Sequence, residues 1–294
     1  MRYSTVLDVT TYLGEEQIAL SRRSNGVHPF VAWHGLGGVN GFWRWDIFWN
    51  RGRTELVGLP GHGPVRRYPF SHYLRWTPQH FIEVGIGALA RLNDGQPATL
   101  IGHSTGGMVA LGVALQAPER VARLILISPV IWNELTGSTR LWMRLSRYPR
   151  LARLAVSLPT QISRISWRVF YLGLQLYLAE SGGFRENLRA IEIIRDGHRE
   201  YRKTSIAGMV GTSRVLQQTD LRPALLKQGL RVPTLLLHGT RDGAVPLAQS
   251  RWLAEHCPQV TLVELPGAGH ICYAEREAEV NQHILAWLAE HPIA

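Results

Sequence analysis

Ala98-Thr-Leu-Ile-Gly102-His-Ser104-Thr-Gly106-Gly-Met-Val-Ala-Leu-Gly-Val-Ala-Leu-Gln116 is the stretch that decides the fold. It opens as a short apolar strand over Ala98–Ile101 and continues as a helix over Thr105–Gln116. Between them sits G-x-S-x-G, at a strand-to-helix turn. Such a turn pushes the central side chain into a strained, exposed position at a helix N-terminus. Amide N–H groups and the helix dipole favour negative charge there. With 29 glycines in 294 residues, a chance G-x-S-x-G arises in roughly one such chain in seven. The strand–turn–helix setting, not the pentapeptide, therefore carries the weight.

Working outward, the same β/α rhythm recurs. Tyr3–Thr11 and Gln17–Arg22 read as a hairpin turning at Gly14, and Pro29–Trp33 as a buried strand ending at His34-Gly35. Glu55–Gly58 is a brief strand closed by Leu59-Pro60-Gly61-His62-Gly63. Pro78–Leu92 has helical spacing, with Thr77 as N-cap and proline in the first turn. Val121–Ile127 is a continuous apolar strand, as a sheet covered on both faces requires. From Val130 to Thr219 strand-like runs stop and tryptophan, leucine and arginine recur at helical spacing. Then Thr234–Leu237 and Val260–Glu264 resume the strands, with helices at Pro246–His256 and Glu275–His291. The expectation is an α/β core over 1–129 and 220–294, a mostly parallel sheet with helices on both faces, and a helical cap inserted over 130–219.

A serine hydroxyl is a poor nucleophile and needs a base, which in turn needs an acceptor to orient it. His270 follows the last strand in Leu265-Pro266-Gly267-Ala268-Gly269-His270, a loop tight enough to aim an imidazole back over the sheet edge. Asp242 lies in His238-Gly239-Thr240-Arg241-Asp242-Gly243-Ala244-Val245-Pro246 after another apolar strand. The competing reading of Asp242 is an Asx-type turn before the next helix. Glu134 is the fallback acid, and Asp220 and Glu264 are less well placed. Backbone N–H groups of Leu36, in His34-Gly35-Leu36-Gly37-Gly38, and of Thr105 are the candidate oxyanion donors. The 34–38 loop lacks a P-loop lysine and a complete G-x-G-x-x-G, so no nucleotide cofactor is expected. His62, His72 and His80 lack metal-ligand spacing, so no metal is expected.

These motifs together resemble the α/β-hydrolase superfamily, over essentially the whole chain. The matching pieces are H-G-L-G-G, L-P-G-H-G, G-H-S-T-G-G, H-G-T-R-D-G-A-V-P and G-A-G-H, in the order nucleophile, acid, histidine. The resemblance implies an eight-stranded sheet, a cap after the sixth strand, Ser104, Asp242 and His270 as catalytic residues, and Leu36 and Thr105 at the oxyanion hole. Gly58 departs from it, since relatives often carry aspartate there. Relatives that use an aspartate nucleophile are pruned by Ser104. Esterases and lipases, carbon–carbon bond hydrolases, thioesterases, perhydrolases, hydroxynitrile lyases, acyltransferases and non-enzymatic receptors on this fold all stay open.

Composition bounds the setting. Two cysteines, Cys257 and Cys272, make no disulfide framework, and the N-terminus lacks an apolar signal region, so a cytoplasmic protein is expected. The net charge is +10, from 32 Lys and Arg against 22 Asp and Glu, and only Lys203 and Lys227 are lysine. Much of the surplus falls between Arg140 and Arg202. No RNP motif or dense Lys/Arg run points to nucleic acid. The surplus reads either as a solvated helical surface or as a face that meets anionic membrane lipid. Trp142, Met143, Trp167 and Phe170 suit an apolar or aromatic ester substrate, or else simply pack the cap. Oligomeric state leaves no mark in the sequence.

Overall fold

In the computed structural model, described over residues 7–13, 15–22, 28–43, 52–92, 96–179 and 188–293, eight strands form one sheet. They are β1 (Leu7–Leu13), β2 (Glu16–Arg22), β3 (Pro29–Trp33), β4 (Arg53–Val57), β5 (Ala98–His103), β6 (Val121–Ile127), β7 (Thr234–Gly239) and β8 (Val260–Leu265). Their spatial order is β1-β2-β4-β3-β5-β6-β7-β8. β2 runs antiparallel to β1 and β4, and the other neighbours are parallel. The hairpin expected over Tyr3–Thr11 falls at Leu7–Leu13, and residues 1–6 and Gly14 lie outside the described residues.

Why the centre of the sheet is apolar follows from its two covered faces. Along β6, Leu124 and Leu126 pack into one core with the Pro78–Leu92 and Thr105–Gln116 helices. Ile125 and Ile127 point the other way, into a second core with Ile284, Trp287 and Leu288 of the C-terminal helix. A period of two thus feeds two cores, so the strand has no polar side. Arg123 breaks the run. It is buried, and its guanidinium donates to Thr99 Oγ1 at 3.1 Å and to the His291 carbonyl at 2.7 Å. A buried charge is tolerable only with such partners. Glu16 on β2 is the counterpart, its Oε1 held by His72 Nε2 at 2.7 Å and Trp76 Nε1 at 2.8 Å.

Between β6 and β7 the chain is helical, with helices at Gly137–Ser146, Pro149–Ile165, Trp167–Leu174, Leu188–Tyr201 and Ile206–Gln218. The two ends of this stretch meet. Trp132 and Asp220 form an isolated antiparallel bridge, and Leu221 N–H donates to the Ile131 carbonyl at 2.9 Å.

The turn after β5 shows what close packing demands. A Cβ on Gly102 would collide with the Gly106 carbonyl oxygen, and one on Gly106 with the Trp33 and His34 carbonyl oxygens. The helix that carries Ser104 at its start therefore sits backbone-to-backbone on β3. Gly106→Ala is expected to destabilise the fold by about 3 kcal/mol or more, because rigid backbone must shift. Gly173, in the Trp167–Leu174 helix, faces nothing within 4 Å, so Gly173→Ala should be neutral or stabilising by up to about 1 kcal/mol. Urea unfolding of the two variants checks the contrast.

Candidate active site

Parallel strands deliver their following loops to one sheet edge, and the site is assembled there. The loops after β3, β5, β7 and β8 contribute His34–Gly38, Ser104, Asp242 and His270. Ser104 has φ 55° and ψ −117°, a region that non-glycine residues avoid. It is held there by its own backbone. Ser104 N–H donates to the Ile127 carbonyl at 3.0 Å, and its carbonyl accepts from Val130 N–H at 3.1 Å and Met108 N–H at 3.2 Å. β6 and the start of the helical stretch thus brace the strained residue.

Asp242 and His270 are joined directly, with His270 Nδ1 to Asp242 Oδ2 at 2.8 Å. The Asp242 carboxylate is fully buried. Its Oδ1 accepts from Ala244 N–H at 2.8 Å and Val245 N–H at 2.9 Å. Its Oδ2 also meets His238 Nε2 at 3.1 Å. The Asx-type turn and the partner to histidine, which compete in the sequence, are one arrangement in the structure: one oxygen shapes the loop while the other holds the imidazole. Burial alone would raise the Asp242 pKa. The charge of His270 and the hydrogen bonds from His238 and His270 outweigh it and hold the carboxyl well below the usual range.

Ser104 and the His270 ring line one cavity of about 280 Å³. Among the described contacts no hydrogen bond joins the hydroxyl to the ring. Such contacts often tighten only when substrate binds. Leu36 and Thr105 line the same cavity, beside Ser104. Glu134, the fallback acid, and the less well placed Asp220 and Glu264 all lie elsewhere. Asp220 is forked with Arg222 and Glu264 with Arg251, while Glu134 lines a separate groove with Arg140 and Arg144. Cys272 is buried and its thiol is pushed up to about 12 by burial, which suppresses the thiolate. No group of three or more His, Cys, Asp or Glu among the described residues is arranged to hold a metal ion.

Several supporting residues were not legible as such in the sequence. His238, the last residue but one of β7, is fully buried between Asp242 and Ser250 Oγ, the latter at 2.7 Å from its Nδ1. Its only sequence signal is the H-G pair that ends an apolar strand. Glu275 accepts from Gly269 N–H at 3.0 Å and from Ala179 N–H at 2.9 Å, tying the His270 loop to the helical stretch. His270 N–H donates to the Tyr177 carbonyl at 2.9 Å, a second tie. In the 34–38 loop, Gly37 N–H donates to His62 Nε2 at 3.2 Å, and His62 Nδ1–H donates to the Pro60 carbonyl at 3.0 Å. His34 Nδ1–H donates to the Gly35 carbonyl at 2.8 Å while its Nε2 accepts from Leu59 N–H at 3.3 Å. Both rings therefore work as neutral imidazoles with fixed tautomers, shaping the loop that presents Leu36.

Residues 30–283 match the model of the Alpha/beta hydrolase family. The chain belongs to that family. It is 28% identical to the pimeloyl-[acyl-carrier protein] methyl ester esterase of Chromobacterium violaceum, over 81% of this chain and 83% of that protein. It is 30% identical to the dihydrolipoyllysine-residue acetyltransferase component of the acetoin cleaving system of Pseudomonas putida, over 90% of this chain and 65% of that protein. The enol-lactonase from Burkholderia xenovorans LB400 superposes with a TM-score of 0.73 at 19% identity, covering 96% of this chain and 100% of that one. No helix among the described residues is long and apolar enough to cross a membrane.

The buried histidines give the site a pH limit. Burial lowers His34 to about 3, His62 to about 4 and His103 to about 3, from an ordinary 6.5. Below 6.5 the unfolded chain takes up protons at these rings that the folded chain does not. Their contribution to stability is full above that value and is lost as pH falls toward 3–4, at up to about 1.4 kcal/mol per pH unit for each ring. The urea midpoint is therefore expected to fall steadily from pH 7 to pH 5. A flat profile would mean that these rings are not buried as neutral groups.

Proposed function

We propose that this hydrolase-family chain cleaves a carboxylic ester of an apolar small molecule through an acyl-Ser104 intermediate. The observation that carries the proposal is the buried 2.8 Å His270–Asp242 pair, whose histidine lines one cavity with a serine held at φ 55°. With Nδ1 committed to Asp242, His270 has Nε2 left for the hydroxyl. It removes the Ser104 proton as the oxygen attacks the ester carbonyl. The N–H groups of Leu36 and Thr105 take the oxyanion, fixed donors that need no reorganisation. Asp242 keeps the tautomer and stabilises the imidazolium. His270 then protonates the departing alkoxide. Water, deprotonated by His270, attacks the acyl-enzyme and releases the acid and Ser104.

The cavity wall favours an apolar acyl or aromatic group. Leu36, Phe42, Trp142, Phe170, Leu174 and Tyr273 line it. Of the four residues that suit such a substrate in the sequence, Trp142 and Phe170 serve the wall, whereas Met143 is buried in packing and Trp167 packs partly buried against the second core. In this reading residues 130–219 act as a cap: the inward faces of their helices roof the site. The esterase relative acts, by its name, on a methyl ester, which agrees with ester chemistry and leaves the acyl group of this chain's substrate open.

A fluorophosphonate probe followed by peptide mass spectrometry should label Ser104. Ser104→Ala should remove the label and lower ester hydrolysis by on the order of 10⁴–10⁶-fold, and Asp242→Asn by about 10⁴-fold. Rates of p-nitrophenyl esters of graded chain length would define the acyl preference. Near-parental hydrolysis by Ser104→Ala would end the proposal.

A further inference from the structure

The Pro149–Ile165 helix is built inside out. Leu151, Leu154, Leu158, Ile162 and Ile165 recur at spacings that place them on one stripe. That stripe faces solvent, with exposures of 51%, 72%, 67%, 43% and 79%. The opposite face, carrying Ala152, Val156 and Thr160, is the buried one, and Val156 and Thr160 line the cavity. A surface helix normally turns its large apolar side chains inward. Here one face roofs the candidate site while the more apolar face has water against it. On the neighbouring segment Leu172 and Leu176 are 59% and 69% exposed, and Leu176 also lines the cavity, so the apolar surface runs to the mouth of the site.

Charge surrounds this stripe with one sign. From residue 135 to residue 179 the chain has seven arginines and no aspartate or glutamate. Arg144, Arg147, Arg150 and Arg153 are exposed. A helix with an aliphatic stripe and a flank of cations is the pattern that lies flat in a lipid headgroup layer, apolar side down, arginines on the phosphates. The geometry points to a docking face for an anionic lipid surface on the Pro149–Ile165 helix, which would set the cavity mouth against the lipid. The inference concerns binding and stands apart from the proposed chemistry at Ser104.

Sedimentation with phosphatidylcholine vesicles and with mixed phosphatidylcholine–phosphatidylglycerol vesicles, at low and high salt, tests it on the full chain. The parent protein should pellet with the mixed vesicles, less so at high salt, and poorly with phosphatidylcholine alone. Leu154→Glu, Leu158→Glu and Ile165→Glu together should weaken that binding on the order of tenfold or more, with the circular dichroism unchanged because the side chains are exposed. Arg150→Gln with Arg153→Gln, a change that leaves the stripe intact, should weaken binding to the mixed vesicles alone. Ser104→Ala should bind as the parent does, which separates this inference from the catalytic one. A parent protein left in the supernatant with both vesicles would overturn it. So would a triple variant that binds unchanged.

Discussion

A carboxylate with no access to water has to be surrounded by donors, and in this chain that requirement organises the edge of the sheet where the candidate site lies. Asp242 collects four, two from its own loop, one from β7 and one from the loop after β8. Each donor lost would leave charge buried without compensation, so the segments that supply them have little freedom. The loops are bound to one another as well. Thr240 N–H donates to the Leu265 carbonyl at 3.0 Å, Arg241 N–H to the Ala268 carbonyl at 2.9 Å, and Gly267 N–H to Thr240 Oγ1 at 2.9 Å. The imidazole is thereby aimed by packing within the protein alone, the pre-organisation on which the proposed chemistry rests.

The strained serine depends on the same logic of over-determination. A residue at φ 55° relaxes unless its neighbours forbid it. Here β6 takes its N–H, the 108 and 130 amides take its carbonyl, and the following helix lies too close to β3 for any side chain at Gly106. The energy of the turn is offset by the apolar core that joins the two elements it connects, where Leu100 of β5 lies in one cluster with Met108, Val109 and Leu111 of the helix.

Much of this was legible in the sequence because its signals are local. β3, β6 and the Thr105–Gln116 helix fall at their expected bounds, and β5 and β7 run two residues beyond theirs, since short apolar runs, glycines and turn residues encode local geometry. Asp242 and His270 were legible because each follows a strand that ends at the same edge. What escaped notice is encoded by distance rather than by pattern. Glu275 binds amides of residues 179 and 269, and His62 binds that of Gly37, contacts that no window of sequence contains. Arg123 is a related case: its place inside an apolar run depends on Thr99 of the neighbouring strand and on the carbonyl of His291, far along the chain. The orientation of the Pro149–Ile165 helix was likewise hidden, since periodicity reveals a stripe but not which side of it meets the sheet.

The bridge between Trp132 and Asp220 has an evolutionary consequence. Because the excursion leaves and rejoins the sheet at a single neck, a change of length inside it need not alter strand order or the serine turn. Residues 177–179 are the exception, since the Tyr177 carbonyl holds His270 N–H and Ala179 N–H holds Glu275, so the excursion can vary freely only where it does not touch the loop that aims the imidazole.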